Sequence, residues 1–241
     1  MPIQQMFIGL GNVIDLGLTH VMDAVTGEST TITVPSVGPQ AGDLAILWDT
    51  ALRWQTNSLI PPVTPSGWTL IDMEADSGST HVNFTIWSGV AIWSYKILTP
   101  GDLGAVVTGM AQGDPSTVTQ SQVRKNLHIF RPNRPLVNII KNGFNSDIDP
   151  GTPTNQNLSM AGVEPPIIGF AGYRTISANP SVRGSSGITM VEVPNEDPTP
   201  RQYTKYIAYE KGDVPGNGVI SMQDFGYVNI LQSFYLTFTF T

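Results

Sequence analysis

Glycine and proline are scattered so widely through this chain that one or the other interrupts most windows of twelve residues. Inside a helix a glycine costs about 1 kcal/mol relative to alanine and a proline about 3 kcal/mol. With 24 glycines and 19 prolines in 241 residues, long helices have almost nowhere to form. Between the interruptions lie short apolar runs with a period of two. The C-terminus shows this best, where Phe234, Leu236, Phe238 and Phe240 alternate with Ser233, Tyr235, Thr237 and Thr239. Successive side chains of a strand point to opposite faces, so this segment reads as a strand with the four even-numbered residues turned inward. Similar runs are Thr31–Val34, Asp43–Trp48, Trp68–Met73, Val90–Leu98, Leu127–Phe130, Leu136–Ile140, Pro166–Tyr173, Ile188–Val193, Tyr203–Tyr209 and Val219–Met222.

More than ten short strands with turn residues between them predict an all-β fold, a double-sheet antiparallel β-sandwich of jelly-roll-like type in one domain over 1–241. Immunoglobulin-like strand order is the alternative topology. Short helices are conceivable over Leu52–Leu59 or Ser121–Asn126. Long loops are expected at Asn57–Gly67, Lys141–Thr154 and Asn195–Pro200, where prolines, glycines and aspartates deny regular pairing. The glycine-bearing stretch 1–27 reads as an edge strand or as an arm reaching a neighbouring molecule.

The order of features in the first half returns in the second. Gly42-Asp43-Leu44-Ala45-Ile46-Leu47-Trp48 is mirrored by Glu164-Pro165-Pro166-Ile167-Ile168-Gly169-Phe170, and Pro65-Ser66-Gly67-Trp68-Thr69-Leu70 by Ser185-Ser186-Gly187-Ile188-Thr189-Met190. Ile92–Lys96 with Pro100-Gly101-Asp102 matches Tyr206–Glu210 with Lys211-Gly212-Asp213, and Val123–Phe130 matches Val228–Tyr235. This is a degenerate duplication, with halves at about 28–141 and 152–241.

The motif order from Thr30 to Asp102 resembles that of tailed-bacteriophage virion proteins. Their pattern is a Thr-rich strand, Gly-Asp-Leu before an apolar strand, Pro-Ser-Gly-Trp-Thr, then Tyr-Lys and Gly-Asp. The resemblance implies a β-sandwich used as a head decoration or cement protein, or within tails and fibres, and it carries over no catalytic residues. On that basis the expected function is a non-enzymatic virion structural protein that binds the capsid shell. The alternative is a tail-associated receptor-binding or carbohydrate-recognition module. Phage capsid or tail proteins and further copies of this chain are the expected partners, a glycan belongs to the alternative, and the expected location is the virion, assembled in the bacterial host cytoplasm.

Charge narrows the classes further. Twelve basic against 19 acidic side chains give a formal net charge of -7, which opposes attraction to nucleic acid or an anionic membrane. No apolar run approaches the roughly 18 residues of a membrane helix. The first basic side chain is Arg53, so no secretory signal is expected. The absence of cysteine removes disulfides, thiolate metal sites and cysteine nucleophiles together.

Candidate sites are few. Arg124, Lys125, Arg131, Arg134 and Lys141 gather five of the twelve basic residues, a candidate docking patch for a negatively charged partner or a charged edge that discourages strand pairing. Asp72, Glu74 and Asp76 precede Ser77-Gly78 like the start of a calcium loop, but Asn83 stands where the bidentate glutamate belongs. Their alternation puts them on one solvated strand face. All five tryptophans lie between 48 and 93, available for sugar stacking but better suited to a core, with Trp68 as a core plug. His20, His81 and His128 have no zinc spacing, so a zinc site would need distant strands to meet. No nucleophile elbow, phosphate loop or dinucleotide fingerprint is present. A carboxylate pair for glycoside cleavage is the remaining enzyme reading, and no pair stands out. No catalytic, cofactor-binding or metal residues are assigned.

Overall fold

The computed structural model describes residues 17–26, 29–54, 63–81, 84–109, 121–148, 155–160, 167–175, 181–184, 190–195, 201–209, 219–223 and 228–241. Its strands in chain order begin with β1 (Leu18–Thr26), β2 (Thr31–Thr33), β3 (Leu44–Trp54), β4 (Thr69–His81) and β5 (Phe84–Ile97). They continue with β6 (Val106–Thr108), β7 (Ser121–Pro132), β8 (Leu136–Ile148), β9 (Asn155–Ser159) and β10 (Ile167–Thr175). The last five are β11 (Ser181–Gly184), β12 (Val191–Asn195), β13 (Arg201–Tyr209), β14 (Val219–Gln223) and β15 (Val228–Phe240). A 3₁₀ turn, Pro100–Asp102, precedes β6.

The protein is all-β and antiparallel. Two five-stranded sheets, ordered β1-β7-β3-β5-β4 and β12-β13-β10-β15-β8, pack face to face. The two-stranded sheet β2-β6 covers the outside of the first, and the three-stranded sheet β11-β14-β9 the outside of the second. The chain finishes one main sheet before starting the other. Read from opposite edges, the two orders correspond: β7, β3, β5 and β4 take the places of β15, β10, β13 and β12. Three of the paired apolar motifs lie on corresponding strands, β3 with β10, β5 with β13 and β7 with β15, while 185–189 and Lys211-Gly212-Asp213 lie outside the described residues. β1 and β8 are then equivalent too, so β8 belongs with the second half although the sequence division at 141 falls inside it. In the sandwich, β4 lies against β8 and β1 against β12.

The inner faces meet over aromatic rings. Trp48 and Trp93 stack with centroids 5.2 Å apart, Trp93 meets Phe234 edge-on at 4.9 Å, and Phe234 stacks on Phe170 at 5.3 Å. Phe234, Leu236 and Phe238 are buried inward, with Phe240 packed at the margin, as the C-terminal alternation predicts. β3 departs from alternation because both of its faces are covered. Leu44, Ile46 and Trp48 face the second sheet, while Ala45 and Leu47 face Ile32, Val34 and Val107 of the cover.

Some expectations are corrected. Ser121–Asn126 is not helical but the start of β7, held by pairing with β3 throughout and with β1 at Lys125 and Asn126. Leu52–Trp54 extends β3, and the rest of that candidate helix lies outside the described residues. The loop expected at Lys141–Thr154 is strand as far as Ile148, because a bulge against β15 accommodates Gly143, whose φ is 54°. Residues 149–154, most of the Asn57–Gly67 loop and 196–200 lie outside the described residues. β1 is an edge strand, while 1–16 are likewise outside.

Gly172 of β10 lies against Trp48 so closely that a Cβ there would sit 2.8 Å from the indole ring. Overpacking of this kind costs about 1–3 kcal/mol. Gly172→Ala is therefore expected to lower the denaturant midpoint by that equivalent, and an unchanged midpoint would show that the sheets are not this tightly apposed.

Candidate functional site

Basic residues clustered in sequence do not form a cluster on the surface. Strand alternation turns Arg124 into the sandwich and Lys125 to the opposite face, and both are fully buried. Arg131 is partly exposed and grips Asp43, with Nε donating to Oδ1 and Nη2 to Oδ2, both at 3.0 Å, and Nη2 donating also to the Gly38 carbonyl at 2.9 Å. Arg134 is exposed, with its guanidinium 5.1 Å from the Phe240 ring centroid. Lys141 is 39% exposed and pairs with Asp72 of β4, which links the neighbouring edges of the two sheets. The docking patch is thus corrected: Arg124 and Lys125 drop out, because both faces of β7 are covered there.

The β4 and β8 edges carry a different surface. Leu70 and Met73 on β4 and Val137 and Ile140 on β8 are exposed. Leu70 and Met73 pair with Ser94 and Ile92 and so stand on the outer face of the first sheet, whereas Ile140 pairs with Thr237 and stands on the outer face of the second, with the Asp72–Lys141 pair between them. Exposed aliphatic side chains on strands that are sheet edges among the described residues suit contact with another protein.

The turn motifs serve the architecture. Gly42 and Gly67 adopt φ of 93° and 76°, a region favourable to glycine. Asp43 accepts from the Gln40 amide at 2.8 Å as well as from Arg131. Asp102 caps its 3₁₀ turn by accepting from the Thr99 amide at 2.8 Å and hydroxyl at 2.7 Å, and Lys96 Nζ donates to its other oxygen at 2.5 Å. The Tyr-Lys and Gly-Asp elements of the repeat are therefore two ends of one ion pair, and Trp68 packs partly buried beneath the first sheet's cover.

Trp48 and Trp93 are consumed by the core, and the side chains of Trp54 and Trp87 lie outside the described residues. Asp72, Glu74 and Asp76 run along β4 rather than around an ion loop. No group of three His, Cys, Asp or Glu side chains among the described residues is arranged to hold a metal.

Sequence reasoning missed one cluster. A bulge in β1 between His20 and Met22 brings His20 and Asp23 onto the inner face together, opposite His128 of β7. Asp23 Oδ1 lies 2.7 Å from His128 Nδ1 and 3.1 Å from His20 Nε2. Tyr206 of β13 covers them, its ring 5.3 Å from His20 and 5.6 Å from His128. Burial raises the Asp23 carboxyl, but the hydrogen bond with His128, then the contact with His20 and the charges the two rings can carry, bring it down to about 2. Burial first, and then the charge of Asp23, push the Tyr206 phenol upward. A carboxylate that orients an imidazole is also the arrangement of a general base. Here His128 is fully buried, so its bond with Asp23 ties the edge strand β1 to its neighbour β7, and the imidazole rings pack against Phe170 and Tyr206 of the opposite sheet. Only the bulge, invisible in the residue pattern, makes it.

No protein-family model, curated protein or solved structure matches this chain.

A carboxyl depressed from 3.8 to about 2 stabilises the fold above pH 4 and loses that contribution as pH falls through 2. The shift corresponds to about 2 kcal/mol. Asp23→Asn is expected to be destabilised by about that amount at neutral pH and to lack the corresponding loss between pH 4 and 2. Denaturation midpoints across that range check both.

Proposed function

We propose that this protein is a non-enzymatic structural component of a tailed-bacteriophage virion, a head decoration or cement protein that docks on the capsid shell. The observation that carries the reading is the exposed aliphatic side chains on the two edge strands, Val137 and Ile140 on β8 and Leu70 and Met73 on β4. The Asp72–Lys141 pair between the two sets supplies a polar border to each, a pattern suited to burial against another protein. The motif order supports the virion context, and its residues build turns and caps, as a scaffold repeated many times in one particle requires. Repetition by symmetry turns weak single contacts into strong avidity. The tail-associated alternative rests on the tryptophans, two of which lie in the core.

Burying a valine or isoleucine side chain contributes about 1.5–3 kcal/mol. The double variant Val137→Asp, Ile140→Asp is therefore expected to keep its β circular-dichroism signature while its copy number on purified particles falls at least ~10-fold. Undiminished incorporation would reject the docking edge. Particles lacking the protein should lose heat resistance, and antibody label should decorate heads; label confined to tails would move the assignment to a tail-associated receptor-binding or carbohydrate-recognition module.

A further inference from the structure

Asp49 and Lys125 stand directly opposite each other on β3 and β7, on the outer face of the first main sheet. Lys125 Nζ lies 2.7 Å from Asp49 Oδ1, with side-chain exposures of 0% and 1%. The two other lysine–aspartate pairs described above leave their lysines 23% and 39% exposed. The rungs on either side of this one are apolar: Leu47 opposite Leu127, and Ala51 opposite Val123, with Ile92 beside Asp49 on β5. Gly109 closes over the pair. A Cβ there would overlap the Asp49 carboxylate and come 3.0 Å from Lys125 Nζ.

Such a site disfavours charge on both partners. Burial lowers the proton affinity of the Lys125 amine, and the nearby Asp49 offsets this only in part. Moving one proton across the hydrogen bond converts ammonium and carboxylate into amine and carboxylic acid, the uncharged forms that a dry interior prefers. The amine then lies 2.7 Å from the acid oxygen Oδ1, itself one bond from the acid carbon, and attack requires the nitrogen lone pair to turn from Oδ1 to Cγ. Groups fixed in this way react with effective molarities of about 10⁵–10⁸ M.

We propose that Asp49 and Lys125 are joined by an intramolecular amide, an isopeptide cross-link between β3 and β7. The Nζ–Cγ bond forms and one Cγ–Oδ bond breaks. The departing oxygen leaves as water with two of the three ammonium protons, and the third stays on the amide nitrogen. Nothing is oxidised or reduced, and no co-reactant is consumed. The bond closes a loop across the 76 residues that separate the pair in sequence. In a chain without cysteine it would constrain the unfolded state as a disulfide does.

Intact mass spectrometry of the purified full chain tests the cross-link, with removal of Met1 accounted for. The expected mass is one water below the sequence mass, and proteolysis should release a branched peptide containing both residues. Asp49→Ala and Lys125→Arg should each return the full sequence mass, a readout that holds even if either variant folds poorly. Asp49→Asn should form the same amide with loss of ammonia instead of water. A wild-type chain at full sequence mass overturns the proposal, and so does a water deficit that persists in Asp49→Ala.

Discussion

Burial of the central strands on both faces is the constraint that organises this molecule. β3 and β7 are sandwiched between the second main sheet and the β2-β6 cover, and β10 and β15 between the first main sheet and the β9 side of the other cover. A sheet with one wet face could survive with alternating residues; these strands cannot, and Leu44-Ala45-Ile46-Leu47-Trp48 is apolar throughout for that reason. At Gly172 and Trp48 the absence of a side chain on one sheet makes room for the largest side chain on the other.

Near-continuous apolar strands carry a hazard, since a two-residue slip would leave nearly as much oil buried. Polar groups inside the sandwich remove that freedom. Trp48 Nε1 donates to Gln232 at 2.9 Å, Arg174 donates to Thr50 at 2.8 Å, and Asn126 donates to Thr204 at 3.1 Å. Each joins one sheet to the other at a single height along the strands. A slipped register would strand these groups without partners, at a cost of about 1–3 kcal/mol for each buried group. Hydrophobic burial thus decides that the sheets meet, and the polar contacts decide where.

The strand pattern was legible wherever one periodicity ruled. The C-terminal alternation, the apolar run of β3 and the turn glycines Gly42 and Gly67 all read directly, and the apolar strands of three motif pairs occupy equivalent places in the two sheets. Segments governed by partners were opaque. Ser121–Asn126 has no strand signature of its own, yet β3 pairs with it along its whole length and β1 with its last two residues. The basic cluster failed for a related reason: in a strand covered on both faces, a lysine or arginine cannot assume an outward direction, and Arg124 and Lys125 were drawn inside. The grouping of His20, Asp23 and His128 depends on one bulged residue, and bulges leave little trace in composition.

The correspondence between the two sheets has a consequence for growth. In a perfectly repeated body, the β4–β8 side and the β1–β12 side would be copies, and identical adhesive sides would string molecules into open-ended chains. Here the sides have diverged. Exposed aliphatics line β4 and β8, whereas β12 is five residues long with Glu192 and Pro194 turned to water, and β1 is bent by its bulge and pinned by Asp23. Among the described residues of β1 and β12, Val25 alone of the large aliphatic side chains is exposed, so the two rims cannot make the same contact and a contact made by one does not propagate through the other.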